Sequence, residues 1–515
     1  DVNTAIDKRV EKGCLIMNYT GHGGEVGLAH ERVVEVSQIN SWKNINNMPL
    51  FFTATCELSR WDDPARTSGG EYMFLNPNGG GIALFTTTRE SYSAPNFTLN
   101  DSFYQFIFKT FNGRMPRLGD AWQYIKDLPV GTETNGRNFT MLGDPALTLA
   151  YPKLDVSTDT INNVLVTSTS SDTLRALTRV TVSGYVRNKN GTILNTYNGV
   201  LYPTVYDKPQ NITTLSNDGA AASPARTFKL QKNVLYKGKV SVNNGHFKFT
   251  FIVPKDINYQ YGIGRISYYA ENGSVDANGY CEKVIIGGSS TTAPSDLVGP
   301  ELKLYMNDNK FVYGGTTNES PDLYAILKDE NGINTVGNGI GHDITAVLDA
   351  NTNSSIVLND YYQADLNSYK SGSVRYPFST LPDGKHTLKL KAWDVYDNSS
   401  DAYTEFVVAK SAEFALTHVL NYPNPFTTKT QFFFEENQCC QNLEVQIQIY
   451  TVTGKIIKTL NENMSVEGFR SSAIDWDGRD EFGDKIGRGV YIYKVKVRSA
   501  EGLVAEQFEK LVLLR

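Results

Sequence analysis

Two short apolar runs near the amino terminus each lead to a side chain with acid–base or nucleophilic chemistry. Residues 15–17 precede His22, which is followed by glycines, and residues 50–52 precede Cys56. A continuous apolar run is typical of a buried parallel strand, and functional residues gather just beyond the carboxyl ends of such strands. We therefore expect His22 and Cys56 to meet at one edge of a sheet.

The remainder of residues 1–152 predicts an α/β domain, because apolar residues at helical spacing alternate with short apolar runs. Residues 37–47 are predicted to form a second helix or a pair of turns with Ser37 as its cap, and Asn76, Pro77 and Asn78 end the third helix. The predicted helices are residues 1–12, 37–47, 68–75, 99–111 and 118–126, and a further strand is predicted at residues 81–86.

From residue 153 onward, apolar and polar residues alternate in short segments separated by Gly, Asn and Pro. Segments such as RVTVSGYVRN and GHFKFTFIVP are typical of antiparallel β-sandwiches. The composition of residues 287–300 indicates a linker. The expected fold class is multidomain α/β plus all-β, with an α/β domain at residues 1–152 followed by three Ig-like β-sandwich domains at residues 153–290, 291–410 and 411–515.

The composition is that of a soluble globular protein of several domains. The chain has 515 residues, of which 40% are hydrophobic and 20% charged. A net charge of -6 and a pI near 5.7 provide no basic patch, so nucleic-acid binding is excluded. The sequence contains neither an apolar run long enough to span a bilayer nor a signal peptide.

The five cysteines do not form the even set expected of a disulfide framework. Cys14 is expected in the core, and Cys281 lies at the start of a predicted strand. The adjacent Cys439 and Cys440 either form a strained vicinal disulfide or, as is more common, are two thiols on opposite faces of a strand. Cysteine usage therefore leaves the redox compartment open.

The chemistry available to His22 and Cys56 is nucleophilic acyl transfer. A free thiol is only a few per cent thiolate near neutral pH, and a neighbouring imidazole holds it ionised as the pair that attacks a carbonyl. Cys56 would be the nucleophile and His22 the base and later the acid, while the N–H groups of Gly23 and Cys56 would stabilise the oxyanion. The alternative is that the spacing is accidental and Cys56 is an inert core residue.

Two loops that follow predicted strands could form a substrate pocket. The loop at residues 57–64 carries Trp61, and the loop at residues 86–96 carries Arg89 and Tyr92. We assign these three side chains as candidate substrate-binding residues, because specificity usually resides in loops at the carboxyl ends of strands. The alternative is that they are solvent-exposed side chains on the rim of the domain and do not bind substrate.

Acidic residues suggest two further roles, each with a simpler alternative. Glu25, Asp62 and Asp63 are candidates for an acid that orients His22, although that acid could also lie upstream. The Asp and Asn cluster at residues 394–398 could bind calcium through oxygen ligands, but it lacks EF-hand spacing, and solvated turns are the preferred interpretation. No cofactor and no metal site are predicted.

The order of these motifs resembles that of the caspase-like cysteine peptidases, and most closely the gingipain branch. The likeness rests on TGHGGE and TATCELS around His22 and Cys56, on GGEYMFLNPNGGGIALFTTTRESY, and on NFTMLGDPALTL, which resembles the closing strand of that family. Thr55 departs from the family, whose members often carry Ala directly before the cysteine. The resemblance implies that residues 1–152 are the carboxyl-terminal part of a gingipain-like peptidase domain, whose first half we expect in an upstream region.

The segments NYPNPF and DWDGRDEFGDKIGRGVYIYKVKV resemble the carboxyl-terminal sorting domains of type IX secretion in the Bacteroidetes. Together with the gingipain-like region, they make the chain similar to the cell-surface sortases of that system. This resemblance implies a cysteine peptidase that removes the sorting domain of exported cargo and passes the new carboxyl terminus to anionic lipopolysaccharide. It also implies a location at the outer-membrane surface of a Gram-negative bacterium, with an outer-membrane β-barrel resembling PorV and other attachment-complex subunits as partners.

Two other functions remain open from the sequence. The chain could be a secreted gingipain-like protease whose terminal domain is itself removed, or a non-catalytic surface scaffold or adhesin in which His22 and Cys56 are vestigial. The sequence offers no obvious basis for Arg or Lys selection, which argues against the protease, and both reactive residues are intact, which argues against the scaffold. Retention of Arg515 in the mature protein would favour the sortase.

Overall fold

The computed structural model describes the chain apart from residues 1, 168–171, 218, 220–222, 337–340, 410–415, 438–441, 467, 501 and 515. It contains two compact units, residues 1–151 and residues 152–515. Within the described ranges, no helix combines the length and apolar character needed to cross a membrane.

The first unit is an α/β domain with one four-stranded sheet and a second sheet of three very short strands. Its helices are α1 (Val2–Lys12), α2 (Val36–Ser41), α3 (Gly69–Leu75), α4 (Ser93–Ile107), α5 (Leu118–Asp127), α6 (Pro129–Thr132) and α7 (Thr134–Asn138). Its strands are β1 (Ile16–Thr20), β2 (Gly23–Gly24), β3 (Gly27–Leu28), β4 (Val34–Glu35), β5 (Leu50–Ala54), β6 (Ala83–Thr87) and β7 (Phe139–Leu142).

The four-stranded sheet has the strand order β1-β5-β6-β7. β1, β5 and β6 are parallel, and β7 runs antiparallel to β6. β2, β3 and β4 form the smaller antiparallel sheet directly after β1 in the chain. The carboxyl ends of the three parallel strands therefore lie at one edge, where their following loops can converge.

β5 and β6 are buried along their whole lengths, so their side chains enter hydrophobic clusters on both faces of the sheet. On one face, Phe52 and Phe85 pack against Phe103 of α4, with ring centroids 5.0 and 5.2 Å away. On the other face, Phe51 stacks on Trp42 at 5.8 Å. Burial on both faces explains why these strands appear in the sequence as continuous apolar runs.

The start of α2 differs from the sequence expectation. The helix begins at Val36, and the N–H of Glu35 donates to Gln38 Oε1 at 3.1 Å in a capping box. The prediction that Ser37 caps this helix is therefore wrong. Ser37 lies inside the first turn of the helix, whereas Glu35 occupies the N-cap position, from which its side chain can reach the free N–H groups of that turn.

The position of α4 also differs, since it covers Ser93–Ile107 rather than residues 99–111. Pro95 lies in its first turn, where a missing N–H costs nothing because the first N–H groups of a helix have no partner inside it. The early turns bury Asn96 and Asn100, and buried polar residues do not produce the apolar spacing by which helices are predicted.

The second unit consists of strands in three consecutive groups, each with its own buried hydrophobic cluster. The first group is β8 (Leu154–Ile161), β9 (Val164–Leu165), β10 (Thr173–Ala176), β11 (Arg179–Arg187), β12 (Gly199–Tyr206), β13 (Gln210–Thr213), β14 (Thr227–Leu230), β15 (Val234–Lys237), β16 (Val240–Val242), β17 (His246–Ile252), β18 (Gly262–Glu271) and β19 (Asp276–Ser289).

In its described residues, the second group contains nine strands and two short 3-10 turns, Thr352–Ser354 and Asn359–Tyr361. Its strands are β20 (Glu301–Met306), β21 (Thr316–Thr317), β22 (Asp322–Lys328), β23 (Thr345–Leu348), β24 (Ile356–Val357), β25 (Tyr362–Ala364), β26 (Ser371–Pro377), β27 (Gly384–Trp393) and β28 (Ser399–Val408). The third group is β29 (Leu416–Tyr422), β30 (Thr430–Glu436), β31 (Asn442–Thr451), β32 (Ile456–Ser465), β33 (Ile474–Trp476), β34 (Gly489–Ser499) and β35 (Val504–Leu513).

The first of these groups forms a ten-stranded sheet and the separate hairpin β13–β14. The second forms sheets of four and five strands, and the third forms sheets of three and four strands. The predicted fold class, an α/β region followed by β-sheet domains, is confirmed. The domain boundaries given from the sequence stay predictions.

The three described cysteines, Cys14, Cys56 and Cys281, are free thiols. Cys281 is buried in β19. Cys14 is half-buried just before β1, where burial raises the pKa of its thiol, so it belongs only in part to the core. Cys439 and Cys440 lie outside the described residues, and the choice between a disulfide and two thiols stays open.

Candidate active site

The ladder between β1 and β5 brings the two sequence motifs to the same edge of the sheet. These parallel strands pair in register up to Thr20 and Ala54. His22 and Cys56 each follow two positions after that last pair. The N–H of Gly21 donates to Ala54 O at 3.4 Å, which extends the contact into the loops. The predicted base and the predicted nucleophile therefore lie on adjacent loops.

His22 precedes the β2–β3 hairpin, and two hydrogen bonds fix its backbone. Its carbonyl oxygen accepts the Ala29 N–H at 2.7 Å and the Tyr19 hydroxyl at 2.6 Å. The imidazole is exposed and tilts against the ring of His30, with 5.2 Å between centroids. The position of the His22 backbone is thus defined by the fold, while its side chain faces solvent.

Gly23 lies where only a glycine fits without displacement, because a Cβ at this position would clash with Thr55 Oγ1. Within the hairpin, Gly23 pairs with Leu28, next to the bond between Ala29 N–H and His22 O. This register makes the pair a non-hydrogen-bonded one, so the Gly23 N–H points away from β3. The expected oxyanion donor therefore borders the residue that precedes Cys56.

Cys56 is half-buried, and the turn after it is strongly constrained. Glu57 has a φ of 51°, in the left-handed region that non-glycine residues rarely adopt. Ser59 is buried, and its N–H donates to Thr87 O at 2.9 Å, which ties the turn to the end of β6. Backbone strain of this kind persists only where the surroundings impose it, and it is common at active sites.

The polar partner of the Cys56 sulfur is the backbone of Ser91, in the loop after β6. The Ser91 N–H lies 3.4 Å from Cys56 Sγ, and the thiol lies 3.5 Å from Ser91 O. Among the described residues, no hydrogen bond joins this sulfur to the His22 ring. Catalytic hydrogen bonds often tighten only when substrate binds, so the position of the two loops is the informative observation.

The three predicted substrate-binding side chains divide into two kinds. Trp61 is 55% exposed and Tyr92 is 69% exposed, so both offer open aromatic surface on the loops after β5 and β6. Arg89 is held by Asp62 through two hydrogen bonds of 2.9 and 2.6 Å. The hydrogen-bonded guanidinium keeps the pKa of the Asp62 carboxyl below its ordinary value.

The three acidic candidates for orienting His22 contact arginines in the described part of the chain. Glu25 Oε1 lies 3.2 Å from Arg60 Nη1, and Asp63 Oδ2 lies 3.9 Å from Arg60 Nε. Asp62 is engaged as described above. Among the described residues, none of these carboxylates forms a hydrogen bond or an ion pair with His22, and an orienting acid for that imidazole stays a prediction.

Sequence reasoning missed Ser91, Asn96 and Asn135, which form a hydrogen-bonded chain beside Cys56. The two asparagines are only 4% and 6% exposed. The sequence carried little signal for them, because isolated Asn residues are most often found in exposed turns.

Two groups of described side chains in the second unit have the geometry to hold a metal ion. They are Asp256, His342 and Asp397, and Asp296, Asp329 and Asp394, with the ligand atoms of each group within 4.8 Å of one another. Asp394 belongs to the acidic turn noted in the sequence, and its carboxylate accepts the N–H groups of Tyr396 and Asn398 at 2.8 Å. Since these bonds cap the turn, no metal is assigned to it.

Comparison with known proteins gives a family match for the first unit, where residues 1–150 match the model of Peptidase family C25. No curated protein matches the chain. The chain is similar to the solved structure of dimeric latent PorU from Porphyromonas gingivalis, with 27% identity, 84% of this chain and 41% of that chain covered, and a TM-score of 0.34. It is also similar to the Arg-specific cysteine proteinase gingipain R, with 16% identity, 55% of this chain and 56% of that chain covered, and a TM-score of 0.26.

The chain therefore spans about two fifths of the length of that PorU structure and just over half of the gingipain structure. The assignment of the candidate active site therefore rests on the family match of residues 1–150 and on the register between β1 and β5. The gingipain-like resemblance expected from the motifs is confirmed for residues 1–150. The likeness of this chain to Peptidase family C25 therefore lies in its first unit, at residues 1–150.

Proposed function

We propose that this chain is a cysteine peptidase that acts as a surface sortase of the type IX secretion system, like PorU. Its substrates would be exported proteins with a carboxyl-terminal sorting domain, and the acceptor would be anionic lipopolysaccharide. The observation that carries the peptidase assignment is the in-register pairing of β1 and β5, which puts the loops of His22 and Cys56 side by side.

Acyl transfer at this site would proceed through a thioester. Cys56 Sγ attacks the scissile carbonyl carbon, and the proton of the thiol passes to the imidazole of His22. The N–H groups of Gly23 and Cys56 donate to the oxyanion of the tetrahedral intermediate. As the C–N bond breaks, the imidazolium of His22 gives its proton to the leaving amine, and the acyl group remains on sulfur.

The second half of the reaction decides between a protease and a sortase. Water gives a free carboxylic acid, whereas an amine acceptor gives a new amide and so a transpeptidation. The sortase proposal is supported by the likeness of residues 411–515 to type IX sorting domains. On this proposal, that domain is retained and docks on an outer-membrane β-barrel resembling PorV, and the protein works at the cell surface.

The test is the intact mass of sorting-domain cargo from cells that make the full-length protein or its Cys56→Ala variant. Cys14→Ala is the matched control, since Cys14 is a half-buried thiol outside the site. We expect shortened cargo with a glycolipid adduct in the wild type and the control, and unprocessed cargo in Cys56→Ala. Shortened cargo without an adduct would identify a secreted-type protease, and unprocessed cargo in all strains would leave the scaffold function.

A further inference from the structure

Glu25 joins the segment after His22 to the nucleophile loop, residues 57–68, which follows Cys56. It lies in the turn of the β2–β3 hairpin, and its two carboxylate oxygens contact different arginines. Oε1 accepts a hydrogen bond from Arg60 Nη1 at 3.2 Å, and Oε2 lies 3.4 Å from Arg66 Nη1. One side chain of the hairpin therefore binds the nucleophile loop at two points.

The first turn of α3 adds backbone hydrogen bonds at the same junction. The Gly69 N–H donates to the carbonyl oxygen of Glu25 at 2.6 Å, and the Gly70 N–H donates to Leu58 O at 2.7 Å. These N–H groups have no partner inside their own helix, since the first four in any α-helix are free. The helix therefore uses them to hold the hairpin turn and the nucleophile loop side by side.

The burial of Glu25 distinguishes this contact from an ordinary surface ion pair. Its side chain is only 12% exposed, whereas that of Arg60 is 36% exposed. Arg60 is also held within its own loop, where Nη1 lies 3.5 Å from Glu57 Oε1 and Nε lies 3.9 Å from Asp63 Oδ2. An exposed ion pair contributes little to stability, but a carboxylate that is largely removed from water must keep its partners. Glu25 and its arginines therefore oppose separation of the hairpin from the loop.

The position of His22 relative to Cys56 depends on how these two segments are held. Glu25 follows His22 by three positions, and Arg60 follows Cys56 by four. We propose that Glu25 is a positioning residue for the reactive pair. By binding Arg60 and Arg66, it holds the histidine at the distance from the nucleophile that acyl transfer requires. A displacement of about 1 Å can lower turnover about 100-fold. This inference rests on the proposed function, in which the pair carries out that transfer.

The test compares the wild type with Glu25→Gln, which keeps the size of the side chain and removes its charge. Turnover of a sorting-domain substrate by the full-length protein gives kcat and KM. Hydrogen exchange reports the attachment of the hairpin, because the Ala29 N–H binds His22 O and the Gly69 N–H binds Glu25 O. We expect kcat to fall by about 10- to 100-fold while KM changes less than about 3-fold. Exchange in the peptides that contain Ala29 and Gly69 should become faster.

Asp120→Asn is the matched control. The Asp120 side chain in α5 is 9% exposed and, like Glu25, contacts two arginines, with Oδ1 2.8 Å from Arg117 Nη2 and Oδ2 3.5 Å from Arg114 Nη2. It belongs to neither segment, so its variant should lose similar ion pairs and keep the wild-type kcat and hairpin exchange. Arg66→Gln is the second variant in case Glu25→Gln does not fold. It removes one contact of Glu25, from a side chain that is 56% exposed, and we expect a smaller fall of kcat.

Failure of this inference can be separated from failure of the proposed function. If the wild type processes cargo and the folded Glu25 variant keeps the wild-type kcat, the positioning role is overturned. A fall of kcat without faster exchange in the hairpin, or an equal fall in Asp120→Asn, would overturn it as well. If the wild type processes no cargo, the sortase function is overturned, while faster exchange in Glu25→Gln still establishes that Glu25 holds the hairpin to the nucleophile loop.

Discussion

Gly23 and Thr55 face each other where the loops after β1 and β5 meet, and a methyl group on Gly23 would collide with the Thr55 hydroxyl. This contact joins the expected oxyanion donor to the residue directly before the nucleophile. The two loops can approach this closely because Gly23 has no Cβ.

We expect Gly23→Ala to abolish the proposed peptidase activity, because its Cβ must push the two loops apart. Overpacking of this kind costs about 1–3 kcal/mol of stability, and displacement of a catalytic group by about 1 Å can lower turnover about 100-fold. Turnover of a sorting-domain substrate and urea unfolding of the chain are the measurements. The double variant Gly23→Ala with Thr55→Ala removes the clashing atoms and is expected to recover part of both losses. An inactive single variant with no recovery in the double one would contradict the steric explanation.

Thr55→Val is expected to preserve activity and to leave stability unchanged or raise it by up to about 1 kcal/mol. Thr55 is 1% exposed, and its Oγ1 has no hydrogen-bond partner among the described residues. A buried hydroxyl without a partner is unfavourable, so an isosteric methyl group removes a penalty. Denaturant unfolding measures this effect, with Thr86→Val as control, because the Thr86 hydroxyl is bonded to Ser59 at 3.0 Å. A larger loss of stability in Thr55→Val than in Thr86→Val would contradict this prediction.

Trp61→Ala and Tyr92→Ala are each expected to lower kcat/KM by about 3- to 10-fold, as loss of an aromatic contact with substrate would. Both side chains are more than half exposed, so their removal leaves no cavity and the thermal midpoint should not change. Leu75→Ala is the control, since Leu75 is 67% exposed at the end of α3 and belongs to neither loop. An equal kcat/KM in all three variants would show that the two aromatic residues are exposed side chains that do not bind substrate.

Asp329 is expected to make the second unit less stable as the pH rises from about 4 to about 6. Burial, with Asp394 and Asp296 nearby, raises the pKa of its carboxyl to about 6. The folded chain therefore binds this proton more tightly than the unfolded chain, and that advantage is lost as the pH rises through the folded-state pKa.

Asp329→Asn should accordingly stabilise the unit by about 1–2 kcal/mol above pH 6 and have little effect near pH 4. An amide oxygen can still accept the N–H groups of Asn331 and Gly332, now bonded at 2.7 and 2.9 Å. Hydrogen exchange of peptides from β22, compared with wild type at pH 4.5 and pH 7.5, reports the local stability. The exposed Asp401→Asn is the control, and an equal difference from wild type at both pH values would rule out titration of Asp329.

The elements that hold the site were predictable because their signals are local. β5 and β6 lie on runs of apolar residues and are buried along their whole lengths, which is what such runs encode. β1 differs from the expectation of a buried strand, since none of its residues is fully buried and Leu15, directly before it, is 41% exposed. The same runs placed His22 and Cys56 just beyond strand ends. The family resemblance of residues 1–150 followed from short motifs that needed no tertiary information.

The polar contacts of the site were not predictable, because they join residues far apart in sequence. Arg89 was expected to bind substrate, yet Asp62, 27 positions away, holds its guanidinium. Asn135 reaches Asn96 across 39 positions. Neither pairing follows from periodicity or from a cap, since each depends on where two loops meet after the sheet has formed.

The amino-acid pattern predicts His22 and Cys56 as the reactive pair and the strands that precede them, and its indication that an α/β region precedes a series of β-sheet domains is confirmed. The folded chain was needed to establish that the Ser91 backbone meets the Cys56 sulfur, that Gly23 lies against Thr55 and that Arg89 is hydrogen-bonded to Asp62. Apolar periodicity is encoded within a single strand or helix. A hydrogen bond or a steric contact between loops instead depends on the relative placement of several elements.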